Sequence, residues 1–279
     1  MISLAILLVW LIYLMGLFDS LHFSSPKIIK AKNHYRILTF NIAHGRGRAL
    51  NQFMVPNFRR KEICNTIGLF CKASNADFIL FQESDFYATW SGNFNHLNAI
   101  NQKAEYPHKR EGNNNVLDSY LNNQYGNSIL SKFEPINSSN TIFSEKSIGG
   151  KGVVQITIKL KENLLTIFNL HLQHNSIDVR RKQLNIVEKL ILKTKTPYII
   201  AGDFNEKIES ELLKSFIKRH HLHRYEGKES SISSFRFSFL NSRIDFILGT
   251  KEIIFHQCEI QKTNLSDHMP IIMDFSIRP

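Results

Sequence analysis

Cysteine is scarce: Cys64, Cys71 and Cys258 are the only three in 279 residues. That number excludes a disulfide-stapled scaffold, and no CxxC pair is present to hold zinc or a redox centre. Acidic side chains are also in short supply, with 24 Asp and Glu against 35 Lys and Arg, a formal net charge of +11. This balance excludes a self-solvating acidic protein and leaves nucleic acids, anionic membrane surfaces and phosphorylated small molecules as partners. No internal repeat is visible. What is present is the material of a core: 43% hydrophobic and 11% aromatic residues, with only 21% charged. Disorder is excluded on that composition, and the length suits one large domain or two small ones.

The N-terminal stretch Met1–Phe18, MISLAILLVWLIYLMGLF, contains no Asp, Glu, Lys, Arg or His. It lies at the short end of the roughly 17–25 residues that span a hydrocarbon core. No Lys or Arg precedes the run and no small-x-small cleavage site follows it, so a membrane anchor is expected rather than a cleaved signal. A core helix is disfavoured because the segment is apolar on every face. Lys27, Lys30, Lys32 and Arg36 all lie on its C-terminal flank. The positive-inside rule favours the cytoplasm for the following chain of a single-pass membrane protein, with the exported side as the alternative. Residues 19–34 read as a linker and 35–279 as the folded body.

From Tyr35 onward, short apolar runs alternate with amphipathic stretches. Arg36–Phe40, Phe78–Phe81 and Tyr198–Ala201 are too brief for helices and read as buried strands. Ile63, Ile67, Phe70 and Cys71 share one face of a helix over Arg59–Ser74, a core stripe that gives Cys64 and Cys71 no redox role. Leu184, Val187, Leu190 and Ile191 do the same over Arg180–Lys193. Val153–Leu160 and Leu164–Leu170 flank a turn as a hairpin, and Ile244–Leu248 and Ile271–Phe275 are the last strands. Hairpins mixed with strand–helix–strand units predict an α/β (α+β) fold, a four-layer sandwich of two mixed sheets flanked by helices. The polar, Asn-rich stretch Asn93–Gln124 reads as a long surface excursion.

Polar residues collect where these strands end. RILTF runs into Asn41, FILFQ into Glu83, LLTIFNL into His171, and YIIAG into Asp203 with Asn205 just beyond. Asp245 lies within SRIDFIL, and Asp267 and His268 precede the last strand. Any one of these is an ordinary strand terminator. Strand ends of a sheet sandwich gather at a common edge, however, so the set can converge on one cleft. Carboxylates with an Asn carbonyl are the hard oxygen ligands that Mg²⁺ or Mn²⁺ accepts. Zinc is disfavoured without a His/Cys cluster. A His paired with a distant Asp supplies an oriented imidazole for proton work.

The segments LTFNIAHG, ADFILFQESD, YGNSILSK, FNLHLQH, IIAGDFNE, SRIDFILGT and LSDHMPIIMDF occur in that order between Tyr35 and Phe275. Together they resemble the endonuclease/exonuclease/phosphatase superfamily, the DNase I-like group of metal-dependent phosphoester hydrolases. The resemblance implies that Glu83 is the main metal ligand, with Asn41 beside it as ligand or positioning contact and Asp267 nearby. It implies that Asp203 aligns or deprotonates the attacking water while the Asn205 amide donates to a phosphoryl oxygen. Asp245 would fix the tautomer of His268 and favour its charged form. His171 would contact the phosphate or protonate the leaving oxygen. The general base is either Asp203 or His268.

Weaker signals surround these. Asn127, Arg243 and His44 are candidate substrate contacts, though a turn residue and a strand-start charge explain the first two equally well and a loop histidine without ligand duty is the default for His44. His220, His221 and His223 read as a solvated helix terminus, and Phe235–Phe239 as a half-buried strand rather than a base-stacking platform. The reaction expected is metal-dependent hydrolysis of a phosphoester, with phosphodiesters of nucleic acid or a related substrate first. Lipid head groups or phosphoinositides are the alternative, and an inactive binding module on the same fold the second. No protein partner is expected.

Overall fold

The computed structural model describes residues 20–115, 123–143, 150–227, 233–237 and 240–278. The run Met1–Phe18, expected to be a membrane anchor, lies outside the described residues. Among those described, no helix is long and apolar enough to cross a membrane.

Strand β1 (Tyr35–Asn41) opens the body, followed by helix α1 (Asn57–Ser74) and β2 (Phe78–Tyr87). Next come α2 (His96–Ala104), β3 (His108–Asn113), β4 (Gln124–Ser131) and β5 (Pro135–Ile142). The hairpin of β6 (Gly152–Leu160) and β7 (Asn163–His171) leads through α3 (Ile177–Lys193) to β8 (Tyr198–Asp203) and α4 (Glu211–Arg219). The chain closes with β9 (Phe235–Phe237), β10 (Leu240–Ser242), β11 (Asp245–Gly249), β12 (Ile253–Ile260) and β13 (Ile271–Ile277).

These strands form a 6-stranded sheet, β12-β13-β1-β2-β4-β3, and a 5-stranded sheet, β11-β8-β7-β6-β5, with β9 and β10 as a separate ribbon. Both large sheets are mixed. Helix α1 carries β1 across to its parallel neighbour β2, and α3 carries β7 to parallel β8, as parallel pairing requires. Ser176 and Ser210 cap α3 and α4 by accepting the N–H groups of Val179 and Leu213.

Side-chain alternation sorts the apolar residues into layers. Ile37, Leu80, Ile129, Ile167, Ile199 and Ile247 meet between the two sheets. Leu38, Phe81 and Leu130 face the other way, onto Ile63, Ile67 and Phe70 of α1 and Leu97 and Ile100 of α2. Phe168, Leu170 and Ile200 face Leu184, Val187, Leu213 and Phe216 of α3 and α4. The architecture is helix, sheet, sheet, helix, as expected.

Several elements differ from the expectation. Residues 93–124 are not simply an excursion: α2 buries Leu97 and Ile100, and β3 pairs along β4 as an edge strand. Strand β5 carries no apolar run, because as the other sheet's edge it leaves Ile136–Asn140 exposed. The stretch read as a linker has no helix or strand, yet it is laid onto the body. Phe23 packs edge-on to Phe70, and the Lys27 and Ile28 N–H groups donate to Glu259. His220 is not solvated: its ring packs on Phe216 and pairs with Glu188, closing the end of α4.

Candidate active site

The face between the sheets is apolar along most of its length and polar at one edge. On β7 it reads Leu165, Ile167, Asn169, His171. On β8 it reads Ile199, Ala201, Asp203, and on β1 Ile37, Thr39, Asn41. The period of 2 thus carries Asn41, His171 and Asp203 to one end of the sandwich interior. Register completes the arrangement, since Asp203 lies opposite His171 on β7 and opposite Asp245 on β11. Gly202, at φ +139°, allows the close approach: a Cβ there would stand 1.9 Å from the Leu170 carbonyl oxygen.

Asp203 is the hub. Its Oδ2 accepts from Asn41 Nδ2 at 3.0 Å and lies 3.4 Å from His171 Nε2, and its Oδ1 accepts the Asn205 N–H at 2.8 Å. Burial opposes its ionisation, yet the His171 contact and the His268 charge hold its carboxyl below the ordinary range. On the other side His268 Nε2 is 3.8 Å from Asp203 Oδ2, while its Nδ1 lies 3.0 Å from Asp245 Oδ2. Burial alone would push this imidazole down, but Asp245, Asp203 and Asp267 outweigh it and raise it to about 10. Phe235 covers the ring of His268 at a centroid distance of 4.9 Å.

His171 takes the opposite state. Burial, helped by the neighbouring Lys151 ammonium, pushes it down, so its imidazole is neutral. Lys151 Nζ can only donate, and it lies 3.3 Å from His171 Nδ1. Nδ1 is therefore the acceptor and Nε2–H points at Asp203. The Asn205 amide sits 3.2 Å from that Nε2 while donating to the Leu172 carbonyl at 2.8 Å.

Glu83 reaches the cleft by a backbone irregularity. The β2–β4 register breaks between Phe81 and Ser84, and Glu83 has φ +53°, the left-handed region that a non-glycine residue rarely occupies. Regular alternation would aim its side chain toward the helices; the bulge turns it inward. Its carboxylate is approached only loosely, by Lys151 at 3.4 Å, His44 at 3.5 Å and His171 at 3.9 Å. Despite burial, the charges of His44 and Lys151 keep it ionised well below the ordinary range.

This loosely held carboxylate is the observation that fits a divalent cation. Asn41 and Asp267 line the same cleft and complete a hard-oxygen donor set. Asn41 Oδ1 already accepts the Ala43 N–H at 3.0 Å and Asp267 pairs with Arg46, so each has one lone pair or one oxygen left to give. Asp203, Asp245 and His268 also lie within 4.8 Å of one another. Their atoms are already committed to one another, and a charged imidazole is no ligand, so that trio suits a shared proton better than a cation.

One cleft of about 410 Å³ is lined by Asn41, Glu83, His171, Asp203, Asn205, Asp267 and His268, with Asp245 behind His268. Arg46 and Lys151 also line it and were not singled out from the sequence; Phe235, read there only as part of a half-buried strand, lines it as well. Arg46 Nη2 pairs with Asp267 at 2.5 Å. The only sequence signal for the two cations is a basic residue between glycines, GRG and GKG.

The three weaker candidates fall elsewhere. Asn127 is fully buried, and its amide clamps the sheets together by donating to the Gly152 and Asn169 carbonyls at 2.9 Å. Arg243 turns its guanidinium onto the Asp245 carbonyl and the Phe246 ring. His44 backs Glu83 and does not line the cleft: its Nδ1 lies 2.6 Å from Asp85, whose other oxygen accepts from Trp90 at 2.9 Å. Burial pushes His44 down, but the Asp85 and Glu83 charges outweigh it and raise it.

The chain belongs to the endonuclease/exonuclease/phosphatase family, whose model matches residues 38–268. The fold is shared with an endonuclease/exonuclease/phosphatase from Beutenbergia cavernae at TM-score 0.70 and 15% identity, over 88% of this chain and 72% of that one. A mannosyl-6-phosphatase from Bacteroides thetaiotaomicron gives 0.66 at 15% identity, over 87% of this chain and 100% of that one. A sphingomyelinase C from Streptomyces griseocarneus gives 0.65 at 14% identity, over 86% and 99%. The search of curated proteins gave no match.

Proposed function

We propose that this protein is a divalent-metal-dependent phosphodiester hydrolase, using Mg²⁺ or Mn²⁺, held at a membrane by Met1–Phe18. The observation that carries the reading is the convergence of an ionised Asp203, a charged His268 and a loosely held Glu83 on one cleft. A phosphodiester is an anion that repels nucleophiles, so hydrolysis needs charge neutralisation, an aimed water and a stabilised leaving oxygen. Glu83, the Asn41 carbonyl and Asp267 would hold the cation, which supplies Lewis-acid polarisation of a phosphoryl oxygen.

The remaining steps belong to the chain's own residues. Asp203, ionised and ringed by donors, accepts the proton of the attacking water. His268 is charged at neutral pH and cannot serve as base. Asp245 holds its ring in place, so that Nε2–H faces the phosphoryl group and protonates the leaving oxygen as the bond from that oxygen to phosphorus breaks. The proton taken up by Asp203, 3.8 Å from Nε2, then passes back to the imidazole. The Asn205 amide and Lys151 supply further donors to the phosphoryl group, and the neutral His171 keeps Asp203 oriented.

Among substrates, phosphodiesters of nucleic acid suit the net positive charge, and head-group diesters suit the same charge and the anchor. The test is hydrolysis of DNA, RNA, phospholipids and a chromogenic diester, with Mg²⁺ and with chelator. Asp203→Ala should abolish metal-dependent turnover while leaving the circular dichroism spectrum native. Normal turnover in that variant would end the proposal.

A further inference from the structure

The lip of the cleft carries large apolar side chains that nothing in the described chain covers. Leu50, which lines the cleft, is 49% exposed, and Phe53 and Phe58 beyond it are 71% and 69% exposed. Phe53 sits on a single 3-10 turn, Gln52–Met54, and Phe58 in the first turn of α1. Isolated exposed hydrophobes are ordinary, but three within nine residues, the first of them lining the cleft, mark a surface built for contact. The charge around them is mostly basic. From Ala43 to Glu62 stand Arg46, Arg48, Arg59, Arg60 and Lys61 against the single carboxylate of Glu62, which pairs with Arg59 at 2.8 Å. Arg48 and Lys61 are exposed.

Where the chain enters the body decides what covers this lip. Ser20, the first described residue, accepts from Asn264 Nδ2 at 2.6 Å, and Asn264 Oδ1 accepts the His22 N–H at 3.0 Å. Two residues further on, Ser266 bridges to Gly47, in the loop that leads to Leu50. Ser20, two residues after the apolar run Met1–Phe18 in the sequence, therefore lies beside the lip, at the same end of the sandwich as the cleft.

We propose that the lip bearing Leu50, Phe53 and Phe58 is a docking surface for a lipid bilayer. Exposed aromatic side chains flanked by basic ones match the interfacial layer of an anionic membrane, and the adjoining apolar run keeps the body within reach of it. Docked in this way, the mouth of the cleft rests on the head-group layer.

The test uses the full chain reconstituted into phosphatidylcholine–phosphatidylglycerol vesicles. The three native cysteines are buried, so Phe53→Cys and Phe58→Cys each take an environment-sensitive nitrobenzoxadiazole label selectively. Leu192→Cys, on the exposed face of α3 in the opposite helix layer, is the control. The expected result is a blue-shifted emission at positions 53 and 58 that nitroxide-bearing lipids quench, with neither effect at 192. Water-like emission at 53 and 58 overturns the proposal. So does a blue shift that nitroxide lipid leaves unquenched, which would mean that the N-terminal run folds back over the lip. Equal quenching at 192 overturns it as well, as general adsorption. No turnover is needed, so failure of the hydrolase reading is scored separately.

Discussion

His268 is held between carboxylates: Asp245 Oδ2 lies 3.0 Å from its Nδ1 and Asp203 Oδ2 3.8 Å from its Nε2. Asp245 touches no cleft space, so it acts through the imidazole. Asp245→Asn should lower kcat by about 10²–10⁴-fold, the usual worth of an oriented acid–base group. Its KM should change far less, because the lining of the cleft is untouched. Steady-state kinetics on any accepted diester will separate the two, and a loss confined to KM would remove Asp245 from this role.

The same imidazole makes stability depend on pH with a definite sign. Its folded value, about 10, lies above the ordinary histidine value of 6.5. The charged form is therefore favoured by folding, so the contribution is complete below about pH 6.5 and is lost as pH rises through about 10. Urea midpoints between pH 7 and 10 should fall more steeply for the wild type than for His268→Asn. Parallel slopes would show that the buried pair carries no such linkage.

Much of this arrangement was legible in the sequence because strand alternation is a local property. Apolar runs that turn polar at Asn41, His171 and Asp203 announce strands ending at one edge, and the structure gathers those edges into one cleft. Other features depend on distant chain. The edge strand β5 lacks the apolar signature because one side of it faces water, and Asn127 looks like a turn residue until the second sheet closes over it. Lys151 enters the cleft only because β6 passes beside Glu83. Even Glu83, named from its motif, depends for its direction on a bulge and a positive φ that no periodicity reveals.

A polar clamp lies beneath the cleft. Asn169 Nδ2 donates to the Phe81 and Ser128 carbonyls at 2.9 Å, and Gln82 Nε2 donates back to Asn169 Oδ1 at 2.7 Å. All of these groups are buried, so removing the amide takes a donor from two carbonyls of the facing sheet and an acceptor from Gln82, whose Nε2 keeps Thr39 Oγ1 at 3.1 Å. Asn169→Leu should cost about 2–5 kcal/mol of stability, from the unmet groups of a buried network. Urea unfolding reads this directly, and a cost under about 0.5 kcal/mol, the range of an ordinary surface substitution, would mean the clamp is not needed.

Glu83 anchors the expectation of metal dependence. Replacing it by Gln keeps the shape and removes the charge that the surrounding cations and any divalent ion would share. Glu83→Gln should raise the Mg²⁺ concentration giving half-maximal activity by about tenfold or more, about 1.4 kcal/mol of lost binding. Chelator should silence the wild type. Unchanged Mg²⁺ dependence in the variant would move the cation site elsewhere.

On the proposed function, Lys151 would compete with that cation for the same carboxylate and would also face the substrate's charge. Its Nζ is 3.4 Å from Glu83 Oε1, and the glycines on either side let the strand start pass close to its neighbours. Removing the ammonium should have two effects of opposite sign. Lys151→Ala should lower kcat/KM by about 10²–10³-fold, as loss of one donor to a phosphoryl oxygen does. It should also lower the Mg²⁺ concentration needed for half-maximal activity, since Glu83 is then less neutralised before the ion arrives. Lys151→Arg, keeping the charge, should restore much of the first effect and reverse the second. If Lys151→Ala instead needed more Mg²⁺, the lysine would be supporting Glu83 rather than competing for it.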